Sequence, residues 1–343
     1  MTASYPKVQV YKKNNPIKQQ PGMAGKVALI GVFGGSTTEP ILTSNPDEAY
    51  TNVSDDKTKD AVKCIKPLFN GASSVLCVNV SELSTENLTG ALAKIKNEKF
   101  NTLYVAGALT DAFLPIITGF CAERLLNKMP VGFGYAITRS TLEQYTTTAG
   151  LFGDYSYGGV TGQTFTVDGE SLSLVESGAY WTGLISGLNV GNSMTKKIVD
   201  GVTGLTPEYV FEPTNNGFNG LNLLQLGLTT FECFDRENEL YACVNSEQPN
   251  GYDLYINRVR DYVINEMALH DFLGNKNTPV TMGQVEQELD RVKDKCVSTL
   301  DLLSDIEYNI VKKSANCIDV NITRLLFAGI ITDIDVYFTI EVE

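Results

Sequence analysis

The sequence contains one histidine and no closely spaced cysteines, and both features limit the catalytic and metal sites that it can form. Its single histidine, His270, is the only candidate for the base that a serine or cysteine nucleophile usually needs. It lies on the apolar stripe of a predicted helix, which is typical of a packed side chain. The seven cysteines form no CxxC pair and are odd in number, which argues against a disulfide framework or a zinc cluster. We therefore expect reduced, buried thiols, no catalytic residue, no metal site and no cofactor.

Clusters of basic residues and long apolar runs are also absent. The formal net charge is -13, from 27 basic and 40 acidic residues, and no stripe of Lys and Arg is present to bind phosphates. No run approaches the roughly 18 apolar residues of a membrane-spanning helix, and the first residues lack the basic and then apolar character of a leader. The sequence therefore predicts no nucleic-acid partner, no membrane insertion, and synthesis and folding in a cytoplasm.

Apolar residues make up 43% of the chain, and their pattern in residues 26–250 is that of an α/β domain. Short apolar runs typical of strands buried on both faces alternate with helical segments. These runs are Val27 to Phe33, Val75 to Val80, Leu103 to Ala106 and Val131 to Tyr135. Strands that alternate with helices of ten to fifteen residues predict a mostly parallel, doubly wound sheet.

Two helices of this domain have apparent start signals, and one glycine-rich stretch interrupts the pattern. Ser84 is expected to cap a helix that carries Leu88, and Asp111 is expected to cap a second helix that ends near Asn127. The glycine-rich stretch from Gly150 to Gly169 is interpreted as a surface loop with a short strand.

A nucleotide-binding α/β enzyme is the competing interpretation of this domain. Gly31, Gly34, Gly35 and Ser36 follow the first strand, where a phosphate could bind against a turn. The sequence there is neither GxGxxG nor GxxxxGK[ST], and the segment from Thr37 to Pro40 does not open a helix whose N-terminus could hold an anion. A monomeric scaffold or adhesin-like binding protein is a third class.

Residues 251–328 predict an α+β unit of two long helices on a small antiparallel sheet. The first helix is expected from Asp253 to Leu273, and a capping box of Thr281 and Gln284 is expected to begin the second. The strands follow at 306–311 and 318–324. Asp253 and Asp261, two of the acidic residues on the first helix, are interpreted as part of a solvated face.

Both ends of the chain have the character of extended arms. In the last eleven residues, apolar side chains alternate with polar ones, which predicts a strand that must pair with a sheet edge. The apolar set is Ile334, Val336, Phe338, Ile340 and Val342. Near the start, Val8 and Val10 alternate with Tyr11 and other polar residues, and a tether follows to residue 25. We therefore expect arms at 1–25 and 329–343, paired either within the subunit or with other copies.

The order and spacing of several segments resemble those of contractile tail sheath proteins from phages and related injection particles. The match spans most of the chain, without a strict signature motif. The segments that carry it are Gly25 to Gly31, Asn70 to Ala72, Asn101 to Val105, Glu123 with Arg124, Ser193 to Val202, Tyr255 to Tyr262, and Cys317 to Val320.

The resemblance implies a structural protein that forms a helical homo-polymer around an inner tail tube protein. It also implies that both arms add strands to neighbouring subunits, and that the polymer contacts baseplate and tail terminator proteins. The location implied is a virion or an extracellular contractile particle, assembled in the host cytoplasm. Arg258 and Arg260 are candidates for contacts between subunits or with the tube, or else for surface salt bridges. The chain is short for this family and lacks its large inserted outer domains.

Overall fold

The computed structural model describes residues 25–35, 38–211, 219–268, 278–314 and 317–327. Its main feature is the predicted α/β sheet, with six strands in the order β2-β3-β1-β4-β5-β6. The strands are β1 (Lys26–Gly31), β2 (Ile41–Thr43), β3 (Ser74–Asn79), β4 (Thr102–Val105), β5 (Gly132–Ile137) and β6 (Ser156–Thr161). All pairs are parallel except β2 with β3, which is antiparallel.

Helices cover both faces of this sheet, so its parallel strands are almost completely buried, while the edge strand β2 leaves Leu42 exposed. They are α1 (Pro46–Asn52), α2 (Asp60–Leu68), α3 (Thr85–Ile95), α4 (Leu114–Leu126), α5 (Leu142–Ala149), α6 (Leu174–Gly187) and α7 (Gly220–Gln225). Val27 and Leu29 of β1 pack into the core that contains α2. Ala28 and Ile30 pack into the core that contains α3 and α4. This two-sided burial explains why the strands are continuous apolar runs.

Helix α6 lies between the large sheet and a second layer of short strands, and glycines allow its close approach to α2. A Cβ atom on Gly183 would lie 2.2 Å from the backbone oxygen of Leu68, and one on Gly187 would lie 2.3 Å from that of Gly71. On its other side, α6 contributes Tyr180 and Trp181 to a third core, with which the second layer packs. A helix buried this completely is apolar nearly all round.

The second layer consists of two small antiparallel sheets. The strands are β7 (Thr164–Val167), β8 (Glu170–Ser171), β9 (Lys197–Ile198), β10 (Val202–Thr206), β11 (Thr230–Asp235) and β12 (Leu240–Asn245). One sheet has the order β10-β7-β8 and the other β11-β12-β9. Phe231 of β11 packs edge-on against Trp181, at a ring distance of 5.1 Å.

Two expectations for the α/β domain were wrong. Ser84 caps α3 as predicted, but Asp111 caps no helix, because its carboxylate accepts bonds from Arg139 and the Thr148 hydroxyl, both at 2.7 Å. Helix α4 instead follows Phe113, which makes no side-chain cap bond. The glycine-rich stretch after residue 150 contains the fully buried strand β6. Its Gly159 allows close pairing, because a Cβ there would lie 2.1 Å from the Tyr135 oxygen.

Arg124 is buried, and it connects the loop that follows α3 with the loop that follows α4. Its guanidinium donates to five backbone carbonyls, three of them Lys96, Glu98 and Met129, and it stacks on the ring of Phe100 at 4.3 Å. Burial lowers the pKa of Arg124 to about 10. The planar five-donor fork suits this cage of carbonyls better than a lysine would.

The C-terminal unit contains the two helices and the antiparallel strand pair that the sequence predicts. It contains α8 (Leu254–Met267), α9 (Pro279–Asp294), a π-helical turn (Lys295–Thr299), and the antiparallel pair β13 (Asp305–Ser314) and β14 (Cys317–Leu326). The predicted capping box was wrong, because Thr278 caps α9 through a bond from the Thr281 backbone N–H. Six cysteines whose side chains are described are free thiols, and all except Cys233 are buried.

The α2–α6 contact generates a prediction with a matched control. The substitution Gly183→Ala places a methyl group so close to backbone atoms of α2 that one of the two helices must shift. We therefore expect a loss of more than about 2 kcal/mol in the free energy of unfolding. Gly90 of α3 has nothing within 4 Å of its Cβ position. Gly90→Ala should therefore stabilise by about 0.5–1 kcal/mol. Urea denaturation measures both, and equal effects would contradict the packing argument.

Candidate assembly surfaces

Arg258 fastens the C-terminal unit to the α/β domain from inside the subunit. Its guanidinium donates to the backbone oxygens of Leu188, at 2.6 Å, and Asn189, at 3.0 Å, which follow the end of α6. The residue is 2% exposed, and burial lowers its pKa to about 10. Cations are favoured next to the carbonyl end of a helix. The guanidinium is therefore occupied within the subunit and is not displayed for a neighbouring copy or a tube.

Arg260 belongs to a second cluster at the same junction. It donates to the Asp261 carboxylate at 2.9 Å and to the backbone oxygen of Asp154 at 2.9 Å. The Tyr157 hydroxyl of β6 donates to the other Asp261 oxygen at 2.7 Å. The Arg260 side chain retains 23% exposure. It stays a predicted assembly contact, although its ion pair lies within the subunit.

Asp261 and Asp253 are not on a solvated face, so that interpretation was wrong. Asp261 is 3% exposed, and burial raises the pKa of its carboxyl, although Arg260 and Tyr157 act in the opposite direction. Helix periodicity placed these residues on one helix but did not reveal that the α/β domain covers it. The tyrosine in β6 is the partner that sequence reasoning missed.

Asp253 caps α8 and accepts hydrogen bonds from three hydroxyl groups. One carboxylate oxygen accepts the backbone N–H of Tyr255 at 2.9 Å. The other accepts Ser193 at 2.9 Å, Thr195 at 3.1 Å and Ser246 at 2.6 Å. The segment around Ser193, one of those that carry the resemblance, thus helps to position the start of α8.

The β13–β14 ribbon is only partly covered by the rest of the described fold. Its sheet has two strands there, so each strand has one edge with no described strand beside it. Its inward side chains Tyr308, Ile310, Val320 and Ile322 pack on α8 and α9 but are only partly buried. Two-stranded ribbons are marginal alone in water, and open edges accept further strands.

The described chain begins and ends around the α6–α8 junction. A Cβ on Gly25 would lie 2.9 Å from the Ser186 oxygen at the end of α6. Phe327 packs edge-on against Tyr255 at the start of α8, at a ring distance of 6.0 Å. The remaining predicted contact residues and the one histidine lie outside the described residues. These are Val8, Val10, Tyr11, His270, Ile334, Val336, Phe338, Ile340 and Val342.

The described part of the turn after β1, residues 32–35, is held by hydrogen bonds within the subunit. The Phe33 N–H donates to the Asn79 side chain at 3.0 Å, which in turn donates to the Gly35 oxygen at 2.6 Å. The next described element along the chain is the antiparallel strand β2, so this turn does not itself open a helix. Beside Gly34 lie the side chains of Lys59 and Asp56, which come just before α2, and the Asp56 carboxylate would repel a phosphate. Within the described residues, no group of three or more His, Cys, Asp or Glu side chains is placed to hold a metal ion. None of the helices described is long and apolar enough to span a membrane.

The junction generates a prediction. Tyr157→Phe removes a donor from the buried carboxylate of Asp261, which then keeps only Arg260 as a side-chain partner. We expect a loss of about 1–3 kcal/mol in the free energy of unfolding. Tyr252→Phe, at a tyrosine with 54% exposure, is the control and should change stability by less than about 0.5 kcal/mol. An equally small effect at Tyr157, measured by urea denaturation, would contradict this role.

The sequence matches no family model, and it matches no curated protein. Similarity is found at the level of structure. The sheath tail protein of Desulfitobacterium hafniense superimposes with a TM-score of 0.65 at 12% identity, covering 94% of this chain and 99% of the other. That of Listeria innocua gives 0.66 at 11% identity, with 90% and 95% covered.

A third structure is the helical sheath of the anti-feeding prophage in its contracted state. It gives a TM-score of 0.66 at 12% identity, and 98% of this chain and 99% of the other are covered. The coverage extends across the α/β domain and the C-terminal unit together. The chain therefore has the fold of contractile tail sheath proteins.

Proposed function

We propose that this protein is the structural subunit of a contractile tail sheath, and that it acts without catalysis or a cofactor. Copies would polymerise helically around an inner tube and contract to drive the tube through a target envelope. The observation that supports this best is similarity over almost the whole chain to sheath proteins, one of them in a contracted helical sheath. The open ribbon supplies a surface suited to linking the copies.

Strand donation is the linkage that we propose. The C-terminal arm, with Ile334, Val336, Phe338, Ile340 and Val342, would pair with the ribbon of a neighbouring copy. The N-terminal arm, with Val8, Val10 and Tyr11, would pair with that of another. Extended chains of 24 and 16 residues span at most about 80 Å and 55 Å, enough to leave the subunit.

Contraction would be a change between two helical arrangements of the subunits, one extended and one compact, in which the same strands stay paired. A head-to-tail contact that does not close into a ring builds a helix, and tethered arms let subunits rotate while they stay linked. If the compact lattice buries more surface, even about 1–2 kcal/mol per subunit adds up over a long tube. Release of the first ring would then allow a kinetically trapped, extended sheath to contract as a wave.

The proposal also names partners and a location. The inner tail tube protein would lie inside the helix, and baseplate and tail terminator proteins at its ends. Arg260 is the described residue that we propose for contact with another copy or the tube, because part of its side chain is exposed. The assembled protein would reside in a virion or an extracellular contractile particle, after assembly in the host cytoplasm.

Electron microscopy of the purified protein tests the proposed function directly. The protein alone should polymerise into hollow tubes visible in negative stain, because its linkage needs only other copies of the chain. A species that remains monodisperse by gel filtration at every concentration would contradict the proposal and favour a monomeric binding protein.

Deletion of Asp333 to Glu343 tests the role of the C-terminal arm. The truncated protein should remain a folded, soluble monomer, because the cores of the α/β domain and of the C-terminal unit form without this segment. It should form no tubes, since one of the two strand links is missing. Circular dichroism checks the fold, and tubes formed by the truncated protein would refute the role of the arm.

A further inference from the structure

The parallel sheet brings the ends of several helices to one edge of the α/β domain. Helices α2, α3 and α4 each end close to the point where the next parallel strand begins. Exposed lysines occupy the first position of β1, the last turn of α2 and the loops that follow α3 and α4. They are Lys26, Lys66, Lys96, Lys99 and Lys128. Against two exposed glutamates, Glu98 and Glu123, this surface keeps a positive charge in a chain whose formal net charge is -13, and we call it the basic end.

The backbone of the basic end is held in place by the buried Arg124. Its guanidinium donates to the backbone oxygens of Lys96 and Glu98, both at 2.9 Å, and to that of Met129 at 3.0 Å. These carbonyls belong to the two loops that follow α3 and α4, which carry most of the lysines. A surface whose backbone is fixed in advance loses less conformational entropy on association.

Two features of the basic end are unfavourable for a surface that faces only water. Lys128 follows the last residue of the α4 cap with a φ angle of 59°, in the left-handed region, where glycine is usually found. Leu126, in the last turn of α4, is 79% exposed. The helix dipole favours lysines near the carbonyl ends of helices, but it explains neither feature. Contact with another protein accounts for both, with Leu126 as an apolar anchor inside a charged rim.

The opposite edge of the same sheet is acidic. Helices α2, α3 and α5 begin there, at the carboxyl ends of the parallel strands. Of the bases on this edge, Arg139 is paired with Asp111 at 2.7 Å. The others lie near the start of α2, so negative charge dominates around α3 and α5; these bases are Lys57, Lys59 and Lys63. The exposed carboxylates of this surface, which we call the acidic end, are Asp55, Asp60, Glu82, Glu86 and Glu143.

We propose that the basic end of one copy docks on the acidic end of the α/β domain of a second copy, with the lysines around Leu126 facing the glutamates of α3 and α5. This inference rests on the proposed function and adds a contact between copies that is separate from strand pairing. The two surfaces lie at opposite ends of the same strands, so the contact is head-to-tail and can repeat from copy to copy. Opposite charges also set the direction of the copies, because two basic ends or two acidic ends repel one another.

Charge reversal at either surface tests the proposal. Lys96→Glu with Lys99→Glu places acidic side chains at both surfaces, and Glu82→Lys with Glu86→Lys places basic side chains at both. All four positions are exposed, so no core packing is lost. Each variant alone should need at least about tenfold more protein to form tubes, since like charges then face one another. An equimolar mixture of the two variants should recover to within about threefold, because each surface then meets its opposite in the other variant.

The substitution Lys128→Gly separates association from stability. Glycine adopts a positive φ without a steric penalty, so the unassembled variant should melt at a temperature equal to or above that of the unaltered protein. Loss of the lysine should nevertheless raise the protein concentration needed for tubes by about threefold or more. Normal tubes with a lowered melting temperature would show that Lys128 only compensates the end of α4, and would overturn its role in docking.

Matched controls separate this contact from general charge effects. Lys197→Glu with Arg236→Glu, and Glu237→Lys with Glu239→Lys, make the same charge changes at exposed positions of the second layer. They should leave the concentration needed for tubes within about threefold of the unaltered protein. Thermal melting of each variant confirms that it is folded.

Cross-linking locates the contact, and each outcome decides a separate point. In tubes mixed from copies labelled with 14N and 15N, carbodiimide should join lysines of the basic end to carboxylates of the acidic end between differently labelled chains. Cross-links from the basic end to the C-terminal unit alone would overturn the docking. Normal tubes from either reversed variant, a mixture that does not recover, or an equal loss in the controls would overturn it while the sheath function stands. Failure of the unaltered protein to form any tubes would overturn the proposed function, and the docking with it.

Discussion

The contact of Arg258 with the carbonyls that follow α6 is the interaction on which the arrangement of the subunit depends. A buried guanidinium with two backbone acceptors, and no carboxylate partner in the described part of the chain, is stable only where those acceptors are fixed. Helix α6 keeps these acceptors in place, because its glycines pack closely against α2 and because it also packs on the large sheet. The position of α8, and with it the ribbon, thus follows from the packing of a helix about 70 residues earlier in the chain.

The two ends of the described chain lie at the same junction. The described chain begins at Gly25 beside the end of α6 and ends at Phe327, which packs on Tyr255 of α8. Force applied at either end of the described chain would therefore enter the fold at the junction of α6 and α8. The Tyr157–Asp261 bond reinforces the same junction from β6. Together these contacts hold the start of the C-terminal unit in one position relative to the large sheet.

Much of the fold could be predicted because local patterns determined it. Continuous apolar runs identified the parallel strands, and Ser84 identified the start of α3, since these signals depend on neighbouring residues alone. Other positions depend on partners distant in the sequence. Asp111 has the composition of a cap, yet its carboxylate is taken by Arg139 and Thr148. Arg258 and Asp261 sit on a polar helix whose covering surface is supplied by another unit, so periodicity could not show that they are buried.

Pairing of a further strand with the open ribbon would contribute both to association between copies and to the stability of the ribbon itself. A ribbon of two strands whose apolar face is only partly covered gains free energy from each further strand, both by hydrogen bonding and by burial of side chains such as Ile310 and Val320. The net charge of the protein opposes association, but screening at about 8 Å in physiological salt confines that repulsion to short range. Contacts between specific charged side chains therefore outweigh the net charge once strands are adjacent. The acidic net charge of the protein is therefore compatible with the strand pairing between copies that we propose.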